Sequence, residues 1–232
     1  MDTKYAYLIG SLFFLAIWLV LFIIRRKSRQ EMLIISVVFL PAVPILEFLQ
    51  IRDFWLPDYV WEKFFGIEDF IFAFAFAGIA AVVYDLISQN KTKPVEASEK
   101  ISQKLWLPLL IFFGGVVFMV FAFFHLILAI NTVYSLIIAF FMAGLYIILT
   151  RRDLLKNALV SGVLMSVIFF LFYMVFFLRL YPDIIARWWK LTELSGNLIF
   201  GLPAEEVAWA FAFGFMFGPL YEFIRNIKPN KL

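Results

Sequence analysis

Seven apolar runs, about 5–24, 32–51, 67–87, 105–130, 133–150, 155–179 and 203–224, leave this chain few ways to fold. Each is close to the ~20 residues a helix needs to cross the hydrocarbon core of a bilayer. In lipid every backbone amide must be satisfied within the protein, and runs of this length do so as helices. The chain is 64% hydrophobic and 20% aromatic, more apolar than a soluble core requires. The sequence therefore predicts an all-α polytopic membrane protein of about seven transmembrane helices. The first run starts at Tyr5 with its basic cluster behind it, so it is expected to be a retained span rather than a secretory signal.

Lysine and arginine sort between alternate connections. Fourteen fall on one side, beginning with Arg25, Arg26, Lys27 and Arg29, and six on the other. The positive-inside rule then puts the N-terminus outside and the C-terminus in the cytoplasm, in a bacterial or archaeal cell membrane. A formal net charge of +3 gives no argument for nucleic acid. The chain has no cysteine, hence no disulfide or thiolate metal site. It also lacks a glycine-rich dinucleotide motif, a phosphate loop and a His-Glu-x-x-His pair, and the last span has no interior lysine for a retinal Schiff base. No metal and no cofactor is expected.

Two adjacent acids open the last span in Gly201-Leu202-Pro203-Ala204-Glu205-Glu206, and two more open the third in Gly66-Ile67-Glu68-Asp69. The stretches align without a gap at a spacing of 137 residues: Glu68 falls on Glu205, Asp69 on Glu206, Phe72 on Trp209 and Phe76 on Phe213. The ends of spans 1 and 5, Arg25-Arg26 and Arg151-Arg152, align at a spacing of 126. The extra residues of the second half are expected between about Leu180 and Gly201. Two parallel three-helix repeats result, 1–88 and 133–232, joined by a polar linker and one helix over 89–132.

Intramembrane ionisable side chains are costly and usually functional. Glu47, Glu68, Asp69, His125, Glu205 and Glu206 all fall in the outer half of the spans, so one shared pocket is expected. No lysine or arginine lies at that depth within the spans. Burial and like-charge proximity both disfavour ionisation, so at least one acid of such a cluster should hold a proton. Asp69 and Glu206 sit in a first helical turn, where a carboxylate also serves simply to start a helix. Glu68 and Glu205 are therefore ranked ahead of them for chemistry. Asp85 and Glu222, at the other end, are expected to pair with bases such as Arg225.

Phe72 and Trp209 lie one turn beyond Glu68 and Glu205 on the same helix face, where aromatic rings can stabilise a developing cation. Phe74 and Phe76 are assigned to lipid contact or packing. Trp55, Tyr59, Trp61, Trp188 and Trp189 are expected to anchor the protein at the headgroup level.

The duplicated acidic opening followed by an aromatic run resembles the small integral-membrane lycopene cyclases of the heterodimeric or fused two-domain type. Pro203-Ala204-Glu205-Glu206 matches that family's Pro-x-Glu-Glu pattern directly. Gly66-Ile67-Glu68-Asp69 departs from it, without the proline and with a shorter second acid. Trp55-Leu56-Pro57-Asp58 is similar to the family's loop before the motif. The resemblance implies acid-catalysed cyclisation of a linear carotenoid end group without net redox change. It implies Glu68, Asp69, Glu205 and Glu206 as catalytic carboxyls, and a lipophilic polyene such as lycopene as partner within the lipid bilayer. Phe72, Trp209, Glu47 and His125 are the candidate substrate-binding residues. Two readings compete: a small-solute transporter of the same repeat architecture, and a related end-group hydratase.

Overall fold

The computed structural model describes residues 3–61, 65–88, 93–94 and 99–228; side chains of 93–94, 99–104 and 227–228 are not considered. Ten helices follow one another: α1 (Ala6–Ile24), α2 (Arg29–Phe39), α3 (Val43–Asp53), α4 (Ile67–Val82), α5 (Glu99–Ala122), α6 (Thr132–Thr150), α7 (Leu155–Phe172), the single turn α8 (Leu178–Leu180), α9 (Ile184–Trp188) and α10 (Ala204–Arg225). Among the described residues these give seven helical segments long and apolar enough to cross a membrane. The chain is thus an all-α polytopic membrane protein, with spans close to those expected.

Two spans are less regular than the sequence predicts. The second is interrupted by a 3-10 turn at Leu40–Ala42, between α2 and α3. Pro41 and Pro44 lack the amide hydrogens that would continue the ladder there. The sixth passes through a π-helical turn, Tyr173–Phe177, between α7 and α8. That extra width brings Phe169, Phe172, Tyr173 and Phe177 onto one wall.

Helices α4 and α10 occupy the centre. The first packs on α1 and α2, the second on α6 and α7, and the two pack on each other. Their rings meet in register: Phe72 lies on Trp209, centroids 6.4 Å apart and 23° from parallel, and Phe76 meets Phe213 at 5.0 Å. Positions 137 residues apart thus touch, and the helices run side by side in the same direction. Each such ring pair adds about 0.5–1.5 kcal/mol beyond the area it buries. Close approach also fixes Gly78 on α4. A Cβ there would collide with the Trp18 indole and the Ser36 hydroxyl, which are hydrogen-bonded to each other at 3.1 Å.

At the acidic end the connections of the two halves are stitched together. Trp55 and Trp189 form an antiparallel bridge. Beside it the Leu56 amide donates to Trp188 O and the Lys190 amide to Phe54 O, each at 2.8 Å. Asp53, closing α3, accepts the Thr132 amide at 2.8 Å and so caps α6 of the other half. The expectation that these aromatics anchor the protein in the headgroups is overturned. Trp55, Tyr59, Trp188 and Trp189 are all at most 8% exposed, turned inward by the stitch, whereas Trp61 is 72% exposed. The longer connection of the second half holds α9, a 3-10 turn at Leu191–Glu193 and a small hairpin pairing Leu198–Ile199 with Leu202–Pro203. The linker expected over 89–104 lies largely outside the described residues.

Candidate active site

Beneath the stitched connections lie two small adjoining cavities, about 60 and 40 Å³. Glu47, Gln50, Phe72 and Trp209 line both. The first adds Glu206, Tyr7 and Tyr173, with an aromatic wall from Phe14, Phe169 and Phe172. The second adds Asp69, Phe76 and Phe213. Three carboxyl groups from three spans therefore converge on one aromatic chamber, and no lysine or arginine is among its lining residues.

The three are held differently. Asp69 is the third residue of α4 and accepts the Gly66 amide on Oδ2 at 2.7 Å, which starts the helix. Its Oδ1 accepts the Tyr7 hydroxyl at 2.7 Å and the Tyr59 hydroxyl at 3.3 Å. Burial, then the neighbouring Glu47 and Asp69 carboxyls, push the Tyr59 phenol far above its ordinary pKa, so it remains a donor. Glu206 accepts one hydrogen bond, from the Trp189 indole to Oε1 at 2.6 Å. Among the described residues nothing donates to its Oε2. Glu47 faces both Asp69 and Glu206. Its Oε2 is buried with no hydrogen-bond partner, and the Trp55 indole nitrogen lies toward it without closing a bond.

The first acids of the two pairs turn away from the chamber. Glu68 Oε1 accepts the Val60 amide at 3.0 Å, and Glu205 Oε1 accepts the Ser195 amide at 2.8 Å. Each thus pins the connection that precedes its own helix. Glu205 also receives the Tyr134 hydroxyl at 2.6 Å. Glu68 and Glu205 face the connections before their helices, while Asp69 and Glu206, ranked second for chemistry on the sequence, line the cavities. His125 does not join them. It sits in the π-helical end of α5 (Phe123–Ile127), stacked on Phe121 at 5.6 Å, with Nδ1 2.9 Å from Ile130 O.

Phe76 takes the packing alternative rather than lipid contact. It is 1% exposed, stacks on Trp209 at 5.2 Å and belongs to the chamber wall. Phe74, by contrast, packs on Trp18. At the opposite end Asp85 accepts the Ser28 hydroxyl at 2.6 Å, and Glu222 accepts Asn157 Nδ2 at 3.2 Å. Arg225, one of the bases expected near them, lies over the Trp106 and Tyr221 rings, while Arg25 lies near Asp85 and Arg151 near Glu222. Tyr7, Trp55, Tyr173 and Trp189 are chamber or carboxyl contacts that sequence reasoning missed. Only the tyrosine hydroxyls and indole nitrogens distinguish them from the surrounding phenylalanines, and that signal is weak where one residue in five is aromatic.

Fold and site together define a polytopic helical membrane protein with carboxyl groups gathered in an aromatic interior, a setting suited to an apolar substrate and proton chemistry. The lycopene cyclase family model matches residues 131–224, which take in α6, α7 and α10 with Trp189, Glu205, Glu206 and Trp209. The match covers less than half of the chain; it supports a lycopene cyclase family and a carotenoid cyclase function. No curated protein and no solved structure matches it.

Proposed function

We propose that the protein cyclises a linear carotenoid end group by proton transfer within the aromatic chamber, with Glu206 as the acid. The observation that carries this reading is the contrast in hydrogen bonding between Glu206 and Asp69. Asp69 takes donors on both oxygens, the pattern of an ionised carboxylate. Glu206 takes a single donor and has an oxygen left over, the pattern of a neutral carboxylic acid with its hydroxyl toward the cavity.

The proton of Glu206 passes to the terminal double bond of the end group and leaves a tertiary carbocation. The neighbouring double bond attacks it, one carbon–carbon bond forms, and a six-membered ring closes with the cation relocated on the ring. Loss of a ring proton to Asp69 gives the cyclic olefin. Atoms and electrons balance without an oxidant or reductant. Phe72, Phe76, Phe169 and Trp209 present ring faces to the cation. Glu47, facing both acids, returns the proton from Asp69 to Glu206 and resets the site. Tyr7 and Tyr59 hold Asp69 in place as positioning residues.

The in-register contact between α4 and α10 is what a duplicated three-helix unit would make, and it supports reading 1–88 and 133–232 as diverged copies. On the positive-inside rule the chamber lies toward the outer face of the membrane. The test is expression in a bacterial host that accumulates lycopene, with pigments separated by chromatography. Cyclised carotenoid from the wild-type chain and unchanged lycopene from Glu206→Gln are expected. Unchanged lycopene from a well-inserted wild-type chain would overturn the reading.

A further inference from the structure

The two chamber cavities are too small for what the proposed reaction puts in them. At ~10–15 Å³ for each water-sized site, 60 and 40 Å³ admit only a few waters. A terpenoid end group of about ten carbons is several times larger, and the rest of a polyene must lie somewhere outside. Against the same chamber lies a groove of about 570 Å³ between α2–α3 and α5, floored by α6 and α10. Its lining side chains are apolar throughout. Phe39, Leu46, Leu136 and Phe140 line the groove on one side and the chamber on the other.

We propose that this groove receives the polyene chain of the substrate, and that Phe39 and Phe140 are the movable wall through which the end group reaches the carboxyls. The inference rests on the cyclase reading and adds to it the place of the chain and the route inward. Three further features point to such an occupant. Gly114 and Gly115 of α5 line the groove, and a Cβ built on either would meet nothing within 4 Å. The space over them is thus open and wide enough for a flat conjugated chain. Span 2 breaks at the groove, and Pro41 and Ala42 of that break line it. A proline-bearing 3-10 turn next to Phe39 gives the wall a place to bend. Third, the groove lining on α2 and α3 runs from Ile35 to Leu46. At about 1.5 Å per residue that is roughly 16 Å along the membrane normal, enough to hold a substantial length of extended polyene.

The experiment uses the full chain in nanodiscs and in the lycopene-accumulating host. A fluorophore is attached through Met119→Cys, on α5 beside the groove but outside its lining, which introduces a unique thiol into a chain without cysteine. Added lycopene should quench it saturably, and quenching should persist when Glu206→Gln is also present. Gly115→Trp should fill the groove and lower cyclised product at least tenfold at unchanged membrane level and unfolding temperature, with a smaller loss from Gly115→Ala. If wild type makes cyclised product and Gly115→Trp does too, the groove assignment is overturned while the cyclase reading stands. If the labelled chain is quenched by lycopene but no cyclised product ever forms, the groove is upheld and the cyclase reading fails. A groove that holds phospholipid against excess lycopene, or that crosslinks through Gly115→Cys to a second copy, would overturn the proposal.

Discussion

The openings of α4 and α10 each carry two adjacent acids in the first helical turn, yet only the outer shell of their hydrogen bonds is alike. Glu68 and Glu205 each accept an amide from the connection just upstream, Val60 or Ser195, and so do one structural job twice. The second acids have parted. Asp69, a methylene shorter, is drawn back onto the Gly66 amide and enclosed by Tyr7 and Tyr59. Glu206 reaches further, meets Trp189 alone among the described donors and keeps an oxygen for the chamber. On the proposed reading, one methylene and two hydroxyls divide the labour of the two acids, Asp69 as a stable anion and Glu206 as the carrier of a proton.

That division can be attacked directly. Glu206→Gln is expected to lower cyclised product by at least about a hundredfold, in the range general-acid contributions span, while Glu205→Gln costs no more than about tenfold. Equal losses for the two, read by chromatography of host pigments, would dissolve the contrast. Asp69→Asn should come next. It leaves Tyr7, Tyr59 and the Gly66 amide competing for a single acceptor oxygen. A loss of about 1–3 kcal/mol of stability, measured by thermal unfolding in detergent, should accompany about tenfold or greater loss of product. Asp69→Glu sharpens the comparison differently, because it restores the length of the second acid; retained stability with reduced product would show that the shorter side chain matters for position rather than charge. Trp189→Phe keeps the ring packing and removes one donor from Glu206, for a loss of about fivefold to tenfold with little change in unfolding temperature. Tyr134→Phe, which removes a donor from Glu205, should shift stability by about 1 kcal/mol and product hardly at all.

The spans and the duplicated acids were legible because length and apolarity specify a membrane helix almost unaided, and because an acid in such a run stands out. Which acid of each pair faces inward was not. Neighbouring residues on a helix point about 100° apart, and their rotation is set by packing, here by rings such as Phe72 and Trp209, which no local pattern encodes. Helix-start chemistry argued for discounting Asp69 and Glu206, and Asp69 does start its helix, but the same carboxyl also borders the cavity. The tryptophans of the connections misled for a related reason. An indole at the end of a span reads as a headgroup anchor unless the connection folds back, and the Trp55–Trp189 bridge that folds it depends on residues more than a hundred positions apart. Tyr7 carried no contrast at all among 31 phenylalanines and 9 tyrosines.

The central place of α10 has a consequence for the order in which the protein is made. Spans enter the membrane from the N-terminus, so the helix that packs against α4, α6 and α7 at once arrives after all three. Until then those three expose to lipid the faces that later become interior, and the nascent chain has neither Glu206 nor Trp209. The chamber therefore closes only when α10 inserts. A ribosome that stalls before Ala204 releases a product without the chamber's Glu206 and Trp209 walls, with unfilled packing surfaces by which membrane quality control can recognise it.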